Sequence, residues 1–374
     1  MGQLLGPPLV GGNRITTLVN GDQIFPAMLR AIAGARHSIT FETFIYWSGT
    51  IGSQFADALA ERAGAGVPVH IIVDWVGGSR MESRYLEQLE SAGAQVVRYH
   101  PLTWHTVDRI NNRTHRKLLV VDGRIGFTGG VGIADQWLGD AGDPDHWRET
   151  HYQVEGPVAG QLQAAFMDNW LQTKPLLLQG EAYFPELAPA GTSIAQVFKS
   201  SSREGSASVR LMYLMSFAAA ERSIRIESAY FLPDDETVAT LIQARRRGVM
   251  VEIIVPGAAT DNQVVRAASR SRWAALLAAG VRIWEFEPTM LHCKVLVVDD
   301  CWASVGSTNL DDRSFRLNDE ANLNVLGAEF AAEQLEQFKA DQARSRAYSL
   351  SDLQRRPWYQ RAGEKVAGLF RSQL

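Results

Sequence analysis

Cysteine is nearly missing from this chain: Cys293 and Cys301 are the only two in 374 residues. Two thiols do not build a disulfide framework, which favours a reducing compartment. Basic charge is not in excess either. The net charge is −4, which speaks against a nucleic-acid-binding chain, where a basic balance is the rule. No run approaches the roughly 20 apolar residues that a transmembrane helix needs. The stretch from Met1 to Val10 lacks the basic start and the apolar core of a signal peptide. Apolar residues make up 46% and charged residues 21%, as in an ordinary globular chain.

What is present is one stretch, twice. Thr114-His115-Arg116-Lys117 runs into Leu118-Leu119-Val120-Val121-Asp122 and then Gly129-Gly130-Val131-Gly132. Leu291-His292-Cys293-Lys294 runs into Val295-Leu296-Val297-Val298-Asp299 and then Gly306-Ser307-Thr308-Asn309. Each position of the first copy has its partner 177 residues on. The apolar run after each His reads as a buried strand. Side chains alternate along a strand, so His115 and Lys117 share a face, as do His292 and Lys294. A buried Lys is costly unless an anion meets it.

The repeat extends beyond the motif. Strand and helix alternate from about Asp22, with helices expected over 22–36, 51–65 and 81–92, and strands over 38–46, 67–74 and 94–98. Asp22 is expected to cap the first helix after a loose start. Asp122-Gly123 is expected to turn a hairpin. Ser223 to Phe231 mirrors Ser38 to Tyr46, Gly248 to Val255 mirrors Gly66 to Val73, and Glu320 mirrors Glu149. The reading is a first half over 1–174, a connection over 175–191, a second half over 192–347 and a basic amphipathic segment over 348–374. Two similar units pack most simply around a pseudo-two-fold, which lets both motifs face one cleft.

The duplicated His-x-Lys-x4-Asp motif resembles that of the phospholipase D superfamily. The segments GFTGGVGIAD, RIESAYFLPDDE, MLHCKVLVVDD and ASVGSTNLDDRSFRLNDEANL are most similar to bacterial cardiolipin synthases of the short type without transmembrane helices. The resemblance runs from about Leu18 to the C-terminus. It implies an α/β fold of two tandem α-β-α sandwich units with a single shared cleft. It also implies phosphatidyl transfer through a phosphohistidine: cardiolipin made from two phosphatidylglycerols with release of glycerol. Hydrolysis of phospholipid head groups is the alternative, and a phosphodiesterase acting on nucleic acid is a more distant one.

In that chemistry one His attacks phosphorus and the other protonates the leaving alkoxide. Lys117 and Lys294 neutralise the charge that builds on the phosphoryl oxygens. No cofactor or metal is required. The resemblance assigns Glu149 and Glu320 to holding the catalytic histidines, and leans toward His115 as the nucleophile. Asp122 and Asp299 complete the motif, but they fall on the opposite strand face, at the turn, and read as structural.

Asn309 and the Ser307 hydroxyl are expected to donate to the substrate phosphate. Gly130 and Gly132, their counterparts, are expected to offer backbone N–H groups there. Glu42 and Glu227 are mid-strand acids expected near the cleft or paired. Asp74, Gly77, Ser79, Tyr230, Phe231 and Asp261 are expected at the rim, and Trp104, Phe231 and Trp284 along an acyl path.

The expected partners are phosphatidylglycerol and a membrane surface, with no nucleic acid. The expected location is the cytoplasmic side of the bacterial inner membrane, held peripherally. Leu176-Leu177-Leu178 packs between the halves or touches membrane. Over 353–374, Trp358, Ala362, Val366, Leu369, Phe370 and Gln373 fall near one face, with five basic residues against Glu364. That suits an anionic membrane surface, or a helix folded back on the body with a solvated basic face.

Overall fold

The structure is a computed structural model, and it describes residues 6–101, 112–201 and 207–369. Trp104, Phe370 and Gln373 lie outside the described residues. The first half holds seven strands: β1 (Val10–Val19), β2 (Ile39–Thr43), β3 (Val69–Asp74), β4 (Gln95–Tyr99), β5 (Leu118–Val121), β6 (Ile125–Gly129) and β7 (Thr150–Glu155). Its helices are α1 (Asn20–Ala33), α2 (Thr50–Gly64), α3 (Ser83–Ser91) and α4 (Ala159–Thr173).

The second half repeats them as β8 (Ser193–Ser200), β9 (Ser223–Ser228), β11 (Met250–Pro256), β12 (Arg282–Phe286), β13 (Lys294–Val298), β14 (Trp302–Gly306) and β16 (Glu320–Leu326). It adds the short pair β10 (Phe231–Leu232) and β15 (Leu310–Asp311), and the edge strand β17 (Ser345–Tyr348). Its helices are α5 (Ala207–Ala219), α6 (Asp235–Arg246), α7 (Gln263–Arg270), α8 (Trp273–Ala278), α9 (Asp312–Arg316), α10 (Ala328–Ala343), α11 (Leu350–Arg355) and α12 (Trp358–Leu369).

All but β10 and β15 form one sheet of 15 strands, ordered β17-β12-β11-β9-β13-β14-β16-β8-β1-β7-β6-β5-β2-β3-β4. Read inward from either side, the order of equivalent strands is the same, and β1 meets β8 antiparallel at the seam. That is the arrangement a two-fold perpendicular to the sheet produces. The β-branched runs in β2, β3, β9 and β11 are buried on both faces, as strands covered on both sides require.

One face carries a core shared by both halves. There α4 and α10 cover the seam, with Leu162, Phe166 and Trp170 beside Phe330, Phe338 and Val297. The other face carries two separate cores, one around Phe41, Phe55 and Leu119 and one around Ile226, Trp273 and Leu296. Lys117 shares strand parity with Leu119, and Lys294 with Leu296. The two His–Lys pairs therefore lie on the divided face.

Three expectations change. The start is not loose: β1 is a ten-residue strand, stabilised by pairing with β7 and β8. Asp22 does not cap α1, which begins at Asn20 with no side-chain cap. The C-terminal segment is two helices, broken at Pro357. No described helix is long and apolar enough to cross a membrane. In the connection, Leu178 is buried while Leu176 and Leu177 are exposed.

Candidate active site

Two short backbone bridges build the site. Thr114 pairs with Asp319, and Arg148 with Leu291. His115 N–H donates to the Asp319 carbonyl at 2.8 Å, and His292 N–H to the Arg148 carbonyl at 2.7 Å. The segment leading into each motif is thus zipped to the segment leading into the other half's glutamate. This crosses the catalytic pairs between halves. His115 Nδ1 lies 3.0 Å from both carboxylate oxygens of Glu320. His292 Nδ1 lies 2.5 Å from Glu149 Oε2. Glu149 and Glu320 were expected to hold the histidines; each holds the His of the opposite half.

The lysines sit close beside their histidines. Lys117 Nζ donates to the His115 carbonyl at 2.7 Å. Lys294 Nζ donates to the His292 carbonyl and lies 3.0 Å from Nδ1 and 3.3 Å from Nε2 of the same ring. All four side chains are buried. Burial pulls His115 down to about 4, against the opposing pull of Glu320. It pulls Lys117 down to about 7 and sets His292 well below its ordinary value, with Lys294 adding to the effect. Each half depresses the other: Lys294 lowers both His115 and Lys117, and His115 lowers His292. With both imidazoles neutral, two ammonium and two carboxylate charges cancel. A phosphodiester anion then favours taking up one proton, onto an imidazole.

The two carboxylates differ. Burial raises Glu320, but His115, Lys117 and Ser307 together bring it below its ordinary range. Ser307 Oγ donates to Glu320 Oε2, and Asn318 Nδ2 approaches Oε1 at 3.5 Å. Glu149 is raised by burial despite Lys294 and the Thr150 N–H. Ser307, expected on the phosphate, is thus committed to Glu320. Its counterpart Gly130 leaves room for a carboxylate: a Cβ there would stand 2.3 Å from Glu149 Oε2. The Gly130 N–H points at the Thr150 carbonyl, 3.4 Å away, and not at a substrate. Gly132 packs under Trp137 and Ile45, with a Cβ gap of 2.9 Å to Ile45. Asn309 is buried, and its Oδ1 has no partner among the described residues.

Asp122 and Asp299 sit at the far end of the motif strands, roughly 16 Å along the strand from the lysines at 3.3 Å per residue. Asp122 accepts from the N–H groups of Arg36, His37 and Ser38, and Asp299 from those of Glu221, Arg222 and Ser223. Both occupy left-handed turn positions, φ 54° and 52°. Counted with the catalytic set by motif membership, they are hairpin and loop anchors.

Beneath the site lie two polar clusters. Glu42 is buried, accepts from Thr114 Oγ1 and from Asn169 Nδ2 at 2.6 Å, and is raised by burial to about 7. Arg116 donates to the Ala165 and Ser200 carbonyls and to Asp168. On the other side Arg148 pairs with Asp341 at 2.8 Å, and Glu227 is raised by burial to about 8. Glu227, Cys293 and Asp341 carry the donor atoms for a metal ion, but the Arg148 guanidinium already neutralises that set.

Of the expected rim residues, Phe231 lies in the second half's own core, and Trp284 is half-buried against the shared core on the other face. Asp74 is buried and caps the Val76 and Gly77 N–H groups. Gly77 is buried, with a Cβ gap of 2.1 Å to the Phe44 carbonyl. Ser79 is exposed. Tyr230 donates to Asp261 at the surface.

Several neighbours escaped the sequence reading. Trp137 and Trp147 flank His292 at 5.3 and 5.4 Å, and Phe44 stands edge-on to His115 at 5.4 Å. Trp147 and Asn318 share the offset that relates Glu149 to Glu320. That offset was the signal that could have found them.

A family model described as "Cardiolipin synthase, PLD-like domain" matches residues 28–170 and 213–342. Cardiolipin synthase A of Pseudomonas fluorescens is 34% identical over 97% of this chain and 75% of its own length. Cardiolipin synthase 1 of Bacillus cereus is 35% identical over 84% of this chain, which spans 64% of that relative. In structure, phosphatidylserine synthase of Haemophilus influenzae superposes with a TM-score of 0.78 at 15% identity, covering 99% of this chain and 98% of the other; this speaks to the fold alone. The duplicated motif, the matched model and relatives aligned over nearly the whole chain agree: the chain belongs to the cardiolipin synthase-like family of phospholipase D proteins.

Proposed function

We propose that this chain transfers a phosphatidyl group between phospholipids, forming cardiolipin from two phosphatidylglycerols and releasing glycerol. The crossed His–Glu pairs carry this reading. His115 Nε2 attacks phosphorus while its Nδ1–H stays hydrogen-bonded to the Glu320 carboxylate. The P–O bond to glycerol breaks, and His292 gives its proton to the leaving oxygen. A second phosphatidylglycerol then loses its hydroxyl proton to His292, and its oxygen displaces His115 from phosphorus. Lys117 and Lys294 neutralise the non-bridging oxygens throughout.

The strongly anionic Glu320 favours His115 as nucleophile. An imidazole backed by an ionised acceptor is the better electron donor. His292, beside the less acidic Glu149 and the adjacent Lys294, gives up its proton more readily. Asn309, with its unpartnered Oδ1, is assigned to the substrate head group. Each half, 1–174 and 192–347, supplies one His–Lys pair. Trp137, Trp147 and Phe44 wall the histidines with apolar surface, which disfavours water as the acceptor. The protein meets its lipids peripherally, on the cytoplasmic side of the membrane.

The test is product analysis. The purified chain is incubated with phosphatidylglycerol vesicles, with and without chelator, and lipids are resolved by mass spectrometry. Cardiolipin and glycerol in equal amounts, unchanged by chelator, are expected. Phosphatidic acid without cardiolipin would mean hydrolysis and refute the transfer reading.

A further inference from the structure

The apolar stripe of α12 faces outward. Trp358, Tyr359 and Val366 are 74%, 60% and 56% exposed. At 100° per residue these positions fall within roughly a third of the helix circumference. A surface helix ordinarily turns such a stripe toward the core. Here the inward side is the other one: Ala367 packs with Ala268 of α7 and Leu232, and the buried Glu364 pairs with Arg356. The helix is therefore already docked through its less apolar side, and its aromatic side is left uncovered. Val264, in the first turn of the neighbouring α7, is also 53% exposed.

Positive charge lies beside it. Arg266, Arg270 and Arg346 crowd the single buried carboxylate Glu285, at 2.9, 2.6 and 3.0 Å. Residues 353–374 carry five basic side chains and one acidic. The patch also adjoins the cleft. Loop residue Asp261, just before α7, accepts from Tyr230, and the N–H of the residue preceding Tyr230, Ala229, donates to the Cys293 carbonyl at 3.1 Å, beside His292.

We infer that the outer face of α7 and α12 docks on an anionic phospholipid bilayer, with α12 lying in the interface. Trp and Tyr suit that position, having an apolar body and a polar tip, and basic neighbours add attraction to anionic head groups. Docking there holds the rim beside His292 against the lipid surface. This deepens the proposed function, but binding is measured without turnover, so either can fail alone.

The full chain is floated with vesicles of phosphatidic acid, an anionic lipid with no head-group ester to cleave, in phosphatidylcholine, and with phosphatidylcholine alone. The wild type should bind the anionic vesicles, with the bound fraction falling as salt rises. The Trp358→Asp/Val366→Asp variant should lose at least tenfold in partition, with unchanged kcat/KM on monomeric dihexanoyl phosphatidylglycerol. Trp358→Ala, which only truncates an exposed side chain, should lose severalfold and serves if the double variant is unstable. Wild-type binding that ignores lipid charge, or variants that float as well as wild type, would overturn the inference. So would a wild-type dimer that the double variant splits, since a second copy would then be what covers the stripe.

Discussion

His115 and His292 occupy equivalent positions in a duplicated unit, yet their surroundings differ in kind. His115 is backed by Glu320, which Ser307 and Asn318 support. His292 stands between two tryptophans and is backed by Glu149, which has a glycine where Glu320 has a serine. Burial lowers both imidazoles; what differs is the carboxylate behind each, held ionised at Glu320 and raised at Glu149. Duplication supplies two copies of each group, and in the proposed scheme divergence of a few neighbours turns the copies into a nucleophile and an acid–base partner.

The largest test removes either member. His115→Ala and His292→Ala should each lower kcat by on the order of 10⁴-fold or more, because both act in one step. Retained turnover in either variant would break the two-histidine scheme. A sharper comparison is between the carboxylates. Glu320→Gln should cost about 10³-fold in kcat, and Glu149→Gln about tenfold, since the first holds the nucleophile's tautomer. Equal losses would mean that the asymmetry has no catalytic consequence.

The pH profile tests the same contrast in the free enzyme. His115, lowered to about 4, is the weaker base for its burial. Attack requires it neutral, so the acid limb of kcat/KM should lie near pH 4 and not near 6.5. Lys117, lowered to about 7, loses its charge as pH rises through that value, so kcat/KM should fall above it. Lys117→Arg, which stays charged, should shift the alkaline limb and leave the part that belongs to Lys294, which burial also lowers.

The smallest effects concern the supports. Gly130→Ser forces a side chain against the Glu149 carboxylate and should destabilise by about 2 kcal/mol. Ser307→Gly removes one hydrogen bond and should cost about 1 kcal/mol. Asp122→Ala and Asp299→Ala should each lower the melting temperature, by about 1–2 kcal/mol of stability, while leaving kcat unchanged.

Much of the fold is legible in the sequence because the central strands announce themselves: Val69 to Asp74 and Lys294 to Val298 are apolar runs bounded by turns. β1 is not, because VGGNRITTLV has no burial pattern of its own and owes its order to β7 and β8. The two His–Lys pairs are readable from spacing, and Glu149 and Glu320 from their shared offset. The crossing is not readable, since it depends on the bridges Thr114–Asp319 and Arg148–Leu291, contacts between segments far apart in the chain. Ser307 was misassigned for a related reason: strand parity brings it to the cleft, but only the folded geometry shows Glu320 taking its hydroxyl first.

The most direct test of this account is to trap the intermediate. The wild-type chain is turned over on dihexanoyl phosphatidylglycerol, quenched in alkali, where phosphohistidine survives, and peptide-mapped by mass spectrometry. The account predicts a phosphatidyl adduct on His115, lost in the Glu320→Gln variant although that glutamate belongs to the other half. An adduct on His292, or an adduct on His115 that depends on Glu149 and not on Glu320, would contradict it.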